Sequence, residues 1–193
     1  MRIVLLGAPG SGKGTQAAIL KDNLGIPHIS TGDLLRGAVD AGTELGKQAE
    51  AIMARGDFVS DDIMLGIIRD RLSQGDVAKG FILDGYPRNL AQAEALDNLL
   101  AQIEQPVEEA VQIDVDPDEV VARIAKRAEQ EDRADDDAQA VRHRLDVYQE
   151  QTAPVVDYYA QQGKLSQVFG VGTIEEISTR ILGVLKLAQA ERC

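Results

Sequence analysis

Between Gly7 and Thr15 the sequence reads Gly-Ala-Pro-Gly-Ser-Gly-Lys-Gly-Thr, a glycine-rich turn between an apolar run and an amphipathic stretch. Glycines let backbone N–H groups converge on an anion, a following helix adds the positive end of its dipole, and Lys13 brings a point charge to outer phosphates. This is the pattern of a phosphate cradle, with Gly10, Ser11, Gly12, Lys13, Gly14 and Thr15 as its binding residues. The usual form of the motif has a hydroxyl directly after the lysine, where this chain has Gly14 and only then Thr15. The sequence therefore assigns no direct hydroxyl ligand to a metal. Asp84 ends the apolar run Gly80 to Asp84, the place from which an acid reaches a magnesium ion beside phosphates. Asp33 is a second acidic candidate, although an acid in the first turn of a helix serves equally as its cap.

The cations are unusual for an acidic chain. Net charge is −12 and the isoelectric point is near 4.6, which argues against a nucleic-acid binder that relies on a general basic field. Yet arginine outnumbers lysine 13 to 7, and arginine is the side chain that grips phosphate or carboxylate as a fork. Arg123, Arg127, Arg133, Arg142 and Arg144 fall within 22 residues. On charge alone they also fit a solvated helix face paired with Glu129, Glu131 and Asp135.

A chain of 193 residues, 44% apolar and 27% charged, is expected to form one domain with small insertions. The only cysteine is Cys193, so an internal disulfide or a cysteine-ligated zinc site is excluded and a reducing compartment is the natural expectation. No cleavage signal follows the apolar start, and no run reaches the roughly 18 apolar residues of a membrane span. A cytoplasmic protein with no membrane partner is expected.

The elements that must position these residues alternate along the chain. Expected strands are Arg2 to Gly7, Ile26 to Ser30, Gly80 to Asp84, Ala110 to Val115 and Leu165 to Phe169. Expected helices are Lys13 to Leu24, one starting at Thr31 or Gly32, then Glu44 to Arg55, Asp61 to Gln74, Asn89 to Gln102, Pro117 to Ala128, Ala138 to Gln162 and Thr173 to Ala190. This specifies an α/β fold with a parallel sheet covered on both faces and ligands at the carboxyl ends of its strands. From Thr31 to Gly75 no strand interrupts three helical segments, which marks an insertion. Val141, Leu145, Tyr148, Val155 and Tyr159 keep one face of the long helix apolar, and Pro154 should kink it.

Four blocks, GAPGSGKGTQ, STGDLLR at Ser30 to Arg36, DGYPRNLAQ at Asp84 to Gln92 and RADD at Arg133 to Asp136, closely resemble the adenylate kinase family in order and spacing over essentially the whole chain. The resemblance implies a P-loop kinase with a five-stranded parallel sheet, a helical AMP-binding insertion over 30–59 and a short lid over 127–137. It implies an ATP:AMP phosphotransferase that uses MgATP, acts as a monomer, and has ATP, AMP and ADP as its partners. ATP would meet the phosphate cradle, Arg123, Arg127 and Gly172. AMP would meet Thr31, Arg36, the mainly backbone contacts of Asp57, Phe58 and Val59, then Gly85, Tyr86, Pro87, Arg88 and Gln92. Lys13, Arg88, Arg127, Arg133 and Arg144 would be catalytic, with Arg133 and Arg144 also reaching AMP. Magnesium would be held through Asp84 and Asp33. The resemblance also implies a cis Tyr86–Pro87 peptide.

Only five residues separate Arg127 from Arg133, too few for a zinc-binding or large lid. Asp132 stands where the short form of the family usually has glycine. Hinges are expected near Thr31, Gly56, Arg123 and Asp137. No general base is needed, because the second pKa of a phosphate monoester lies near 6 and the attacking AMP oxygen is already anionic at neutral pH. His28 and His143 are therefore read as structural. Among rivals, a UMP/CMP kinase is disfavoured by Thr31 and Gln92, a GTPase-type switch by the lack of an NKxD tetrapeptide, and a catalytically dead binder by the presence of Lys13 and the arginines.

Overall fold

The computed structural model describes residues 1–55, 57–128 and 138–190, the side chains at 127, 128 and 138 excepted. Gly56, Asp132, Arg133 and Asp137 lie outside the described residues, as does the short-lid segment beyond Ala128. The five expected strands form one sheet: β1 (Arg2–Leu6), β2 (His28–Ser30), β3 (Phe81–Asp84), β4 (Glu109–Asp114) and β5 (Leu165–Phe169). Their order is β2-β3-β1-β4-β5 and every pairing is parallel.

The central strands β1 and β3 carry unbroken apolar runs, Ile3 to Leu6 and Phe81 to Leu83, because helices cover both faces. Val4, Leu6, Leu83 and Ala110 turn to one core with Met64, Ile68, Leu96, Leu100, Val155 and Tyr159. Ile3, Leu5, Ile82, Val111 and Ile113 turn to the other with Ala17, Leu20, Ile177, Ile181 and Leu185. The first face is thus covered by α4 (Asp61–Leu72), α5 (Leu90–Gln102) and α8 (Ala153–Gln161), the second by α1 (Lys13–Leu24) and α9 (Ile174–Ala190). Val120, Ile124 and Val141, with Ala8 against them, seat α6 (Pro117–Ala128) and α7 (Ala138–Val147) beside the glycine-rich turn.

Register brings the chemistry to one edge. Leu5 pairs with Asp84 and Ser30 pairs with Asp84, so the carboxyl ends of β1, β2 and β3 lie together where an open α/β sheet places its ligand. Between β2 and α4 stand α2 (Thr31–Asp40) and α3 (Glu44–Ala54). The third helix of the expected strandless stretch, α4, returns to the sheet, and its Met64, Ile68 and Leu72 are buried in the main core. A 3-10 turn at Gly75–Lys79 follows.

The long helix expected from Ala138 to Gln162 is broken, as Pro154 suggests, by a π-helical turn at Tyr148–Thr152. Proline cannot donate to the carbonyl four residues back and its ring collides with that carbonyl. The widened turn ahead of it relieves both and leaves Pro154 in the first turn of α8. The apolar face survives the break, with Val141, Val155 and Tyr159 all buried. Among the described residues no helix is long and apolar enough to cross a membrane.

Candidate active site

The strand ends open onto a cleft of about 980 Å³. On one side the turn from β1 to α1 enters the helix through Gly12, whose φ of 98° suits glycine, and no side chain caps the helix. A Cβ on Gly12 would meet nothing within 4 Å, whereas one on Gly10 would come within 2.6 Å of Ile124. The loop is therefore packed against α6 behind and open in front, which leaves the first-turn N–H groups facing an anion site. Gly10, Ser11, Gly12, Lys13, Gly14 and Thr15 all line the cleft. Lys13 Nζ donates to the carbonyls of Gly7 and Ala8 at 2.8 and 3.0 Å.

Arg123 braces this half of the cleft. Its Nε donates to Glu119 at 2.9 Å, Nη2 to the Gly170 carbonyl at 2.9 Å and Nη1 to the Ser11 carbonyl at 3.5 Å. Its fork thus spans α6, the glycine-rich turn and the loop after β5. Gly172 in that loop has φ 129° and lines the cleft. A Cβ there would lie 2.4 Å from Glu176 Oε2, the oxygen that accepts from the Thr173 N–H at 2.9 Å at the start of α9.

The cleft wall also carries Arg36, Arg88 and Arg144, together with Asp57, Phe58, Val59, Gly85, Pro87 and Gln92. Arg88 Nε donates to the Gly85 carbonyl at 2.7 Å and the guanidinium lies over the Phe58 ring, 5.0 Å from its centroid. The Tyr86–Pro87 peptide is cis. Tyr86 and Thr31 are buried beneath the wall, and the Thr31 hydroxyl donates to the Gly85 carbonyl at 2.9 Å. Arg127 stands in the last turn of α6, and Arg133 lies outside the described residues.

Asp84 faces the phosphate loop, with Oδ2 3.6 Å from where a Cβ on Gly14 would be. His28 Nε2 is 3.4 Å from the same oxygen, so His28 touches the acid from behind. Asp33 pairs closely with Arg36, and the cap of α2 is Ser30, whose hydroxyl accepts from the Asp33 N–H. Partial burial raises the Asp33 carboxyl pKa, but the bonds to Arg36 and Ser30 outweigh it and hold the group below its ordinary value. Among the described residues no three His, Cys, Asp or Glu side chains could hold a metal together. The Asp84 carboxylate beside the phosphate loop fits an ion carried in on phosphates and water, with one or two carboxylates beside it, as magnesium is commonly bound.

His143 Nε2 lies 2.7 Å from Asp57 Oδ1, and the hydrogen bond from His143, aided by Arg55, holds the Asp57 carboxyl below its ordinary value. Both histidines thus sit against carboxylates at the margins of the cleft. Sequence reasoning passed over Thr152, which donates to the Arg88 carbonyl at 2.7 Å, and Asp61, which accepts from Gln92 at 2.7 Å. Their partners are 64 and 31 positions away, and no motif links them.

A family model described as adenylate kinase matches residues 5–164. An adenylate kinase of Stenotrophomonas maltophilia (strain R551-3) is 62% identical over 186 residues, 96% of this chain and 100% of the relative. One of Xanthomonas euvesicatoria pv. vesicatoria is 61% identical over 181 residues, 94% of this chain and 97% of the relative.

Proposed function

The chain belongs to the adenylate kinase family and carries out ATP:AMP phosphoryl transfer, and we propose that it does so in the cleft between the glycine-rich turn and the arginine-lined wall. One observation supports the assignment of sites: a single cavity is lined by Lys13 and the α1 N-terminus together with Arg36, Arg88 and Arg144. Two sets of phosphate-gripping residues in one cavity suit two nucleotides whose phosphates meet end to end.

In this reading ATP lies along Gly10 to Thr15, with its adenine toward Arg123 and the Gly172 loop. AMP lies on the insertion 30–59, its phosphate in the forks of Arg36 and Arg88 and its base at Gln92. An AMP phosphate oxygen attacks the terminal phosphorus of ATP, a new oxygen–phosphorus bond forms, and the bond to the bridging oxygen breaks, leaving two ADP. No proton need be removed, so neither histidine acts as a base. What the chain supplies is alignment, and positive charge placed where negative charge gathers during transfer. Lys13, Arg88, Arg127, Arg133 and Arg144 take that part. Asp84, with Asp33 as the second acid, would hold a magnesium ion, which supplies charge neutralisation between the phosphates.

The segment 127–137 would close over the site as a short lid without zinc, and the protein would work as a cytoplasmic monomer. The decisive experiment measures ADP from ATP plus AMP with and without magnesium, alongside GMP, UMP and CMP as acceptors. ADP formation that requires magnesium and prefers AMP supports the reading; a UMP or CMP preference overturns the assignment of the adenine wall.

A further inference from the structure

Asp61, the first residue of α4, has no part in the reaction described above, yet its carboxylate stands against the side chain that faces the acceptor base. Gln92 Nε2 donates to Asp61 Oδ1 at 2.7 Å, and Gln92 Oε1 accepts from the Arg88 backbone N–H at 2.7 Å. A carboxylate only accepts and a backbone N–H only donates. Turning the amide over would set oxygen against the carboxylate and nitrogen against the N–H, so these two partners fix which end of Gln92 is which. The carboxylate is itself held. Asn89 Nδ2 donates to both of its oxygens at 3.1 and 3.2 Å, while Asn89 Oδ1 accepts from the Gln92 N–H at 2.8 Å and caps α5. A negative charge is also favoured where Asp61 sits, at a helix N-terminus.

A primary amide has two N–H groups and two oxygen lone pairs. Arg88 and Asp61 take one of each, which leaves one of each in a fixed order on a side chain that lines the cleft. Adenine offers an amino donor at position 6 beside an acceptor at N1, whereas a 6-oxopurine offers an acceptor beside an N–H. The two edges are reversed. A Gln92 free to turn over would pair with either base, and a Gln92 held in one sense pairs only with adenine.

We propose that Asp61 is a positioning residue that sets the purine specificity of the acceptor site by fixing the polarity of the Gln92 amide. The proposal rests on the reading that Gln92 faces the adenine of AMP. It predicts that discrimination between AMP and IMP, which differ only at this edge, passes through a residue that touches neither nucleotide.

The test compares kcat/KM for AMP and for IMP, at fixed ATP, in the wild type and in Asp61→Asn, Asp61→Ala and Gln92→Ala. Asparagine keeps the size of Asp61 but can donate as well as accept, which removes one of the two penalties against turning Gln92 over. We expect the AMP:IMP ratio to fall about tenfold in Asp61→Asn. The change should enter through KM for the acceptor, with KM for ATP unmoved. Asp61→Ala, which removes the acceptor altogether, should fall as far and serves if the asparagine variant folds poorly. A merely structural role would lower the melting temperature and leave the ratio where it was. A wild-type ratio in both Asp61 variants, with a collapsed ratio in Gln92→Ala, would overturn the proposal and spare the adenine reading. A wild-type ratio in Gln92→Ala would remove the adenine reading and the proposal with it.

Discussion

Lys13 shows how one side chain serves two states. Its Nζ donates to the Gly7 and Ala8 carbonyls, which ties the turn together, and the same charge lies where the outer phosphates of ATP would come. Lys13→Met should therefore lower kcat by about two to three orders of magnitude, the scale seen when one donor to developing charge is removed. It should also cost about 1–2 kcal/mol of stability, because two carbonyls lose their donor. Near-normal turnover in this variant would refute the placement of ATP. Asp33 permits a test by pH. Its carboxyl is held below the ordinary value in the folded protein, so the charged form contributes stability that is full above the unfolded pKa of about 3.9 and disappears as pH falls through the lower folded value. Asp33→Asn should melt below the wild type at pH 7, and the gap should close below about pH 4. A gap that stays constant down to pH 2 would mean the pairing with Arg36 contributes nothing.

At the scale of elements the sequence was legible wherever a local pattern decides the outcome. Unbroken apolar runs mark β1 and β3, and Gly25, with φ 63°, ends α1 where a C-terminal glycine predicts. Less legible was anything decided by a distant partner. The sequence reads Thr31 to Gly75 as three similar helical segments, yet only the fold shows that Ile68 of α4 is buried in the core with the sheet residues Val4 and Leu83. Of the site, the motif blocks were readable because their spacing is local. Asp61 and Thr152 were not, since each acts on a residue of another block. Gly46 belongs with them. A Cβ there would lie 2.0 Å from the Ala38 carbonyl oxygen and 2.6 Å from the Val39 nitrogen, so α2 and α3 touch backbone to backbone at that point. Gly46→Ala must drive them apart at a cost of about 1–3 kcal/mol. Because α2 carries Arg36, KM for AMP should rise while KM for ATP stays put. Hydrogen exchange should quicken in α2 and α3 and not in the sheet. Uniform quickening through all elements would show that the two helices are not an independent unit.

For the whole molecule, the balance of charge decides how the halves of the cleft stand toward each other. Arg36, Arg88 and Arg144 line one cavity, and in the absence of phosphates their mutual repulsion favours separation of the insertion from α7. The His143 to Asp57 contact of 2.7 Å works the other way, since it joins α7 to the segment after α3. Phosphates that neutralise the arginines should settle the matter, because transfer must be shielded from water and the halves must meet around both nucleotides. A compound in which two adenosines are joined through five phosphates engages both sites at once. It should bind one per chain and about 10²–10⁴ times more tightly than ATP. Calorimetry gives both numbers, and two molecules per chain or affinity no better than that of ATP would leave only one nucleotide site. The same ligand tests closure. Cys193 is the only cysteine, so a Cys193→Ser background with Gln48→Cys on α3 and Arg142→Cys on α7 carries labels at these two places only. Both native side chains are exposed, and neither has a part in the site. The distance between the labels should shorten and its spread should narrow when the two-site compound is added, and ATP without AMP should do less. A distance that no ligand alters would mean that the cleft is rigid and that shielding comes from the 127–137 segment.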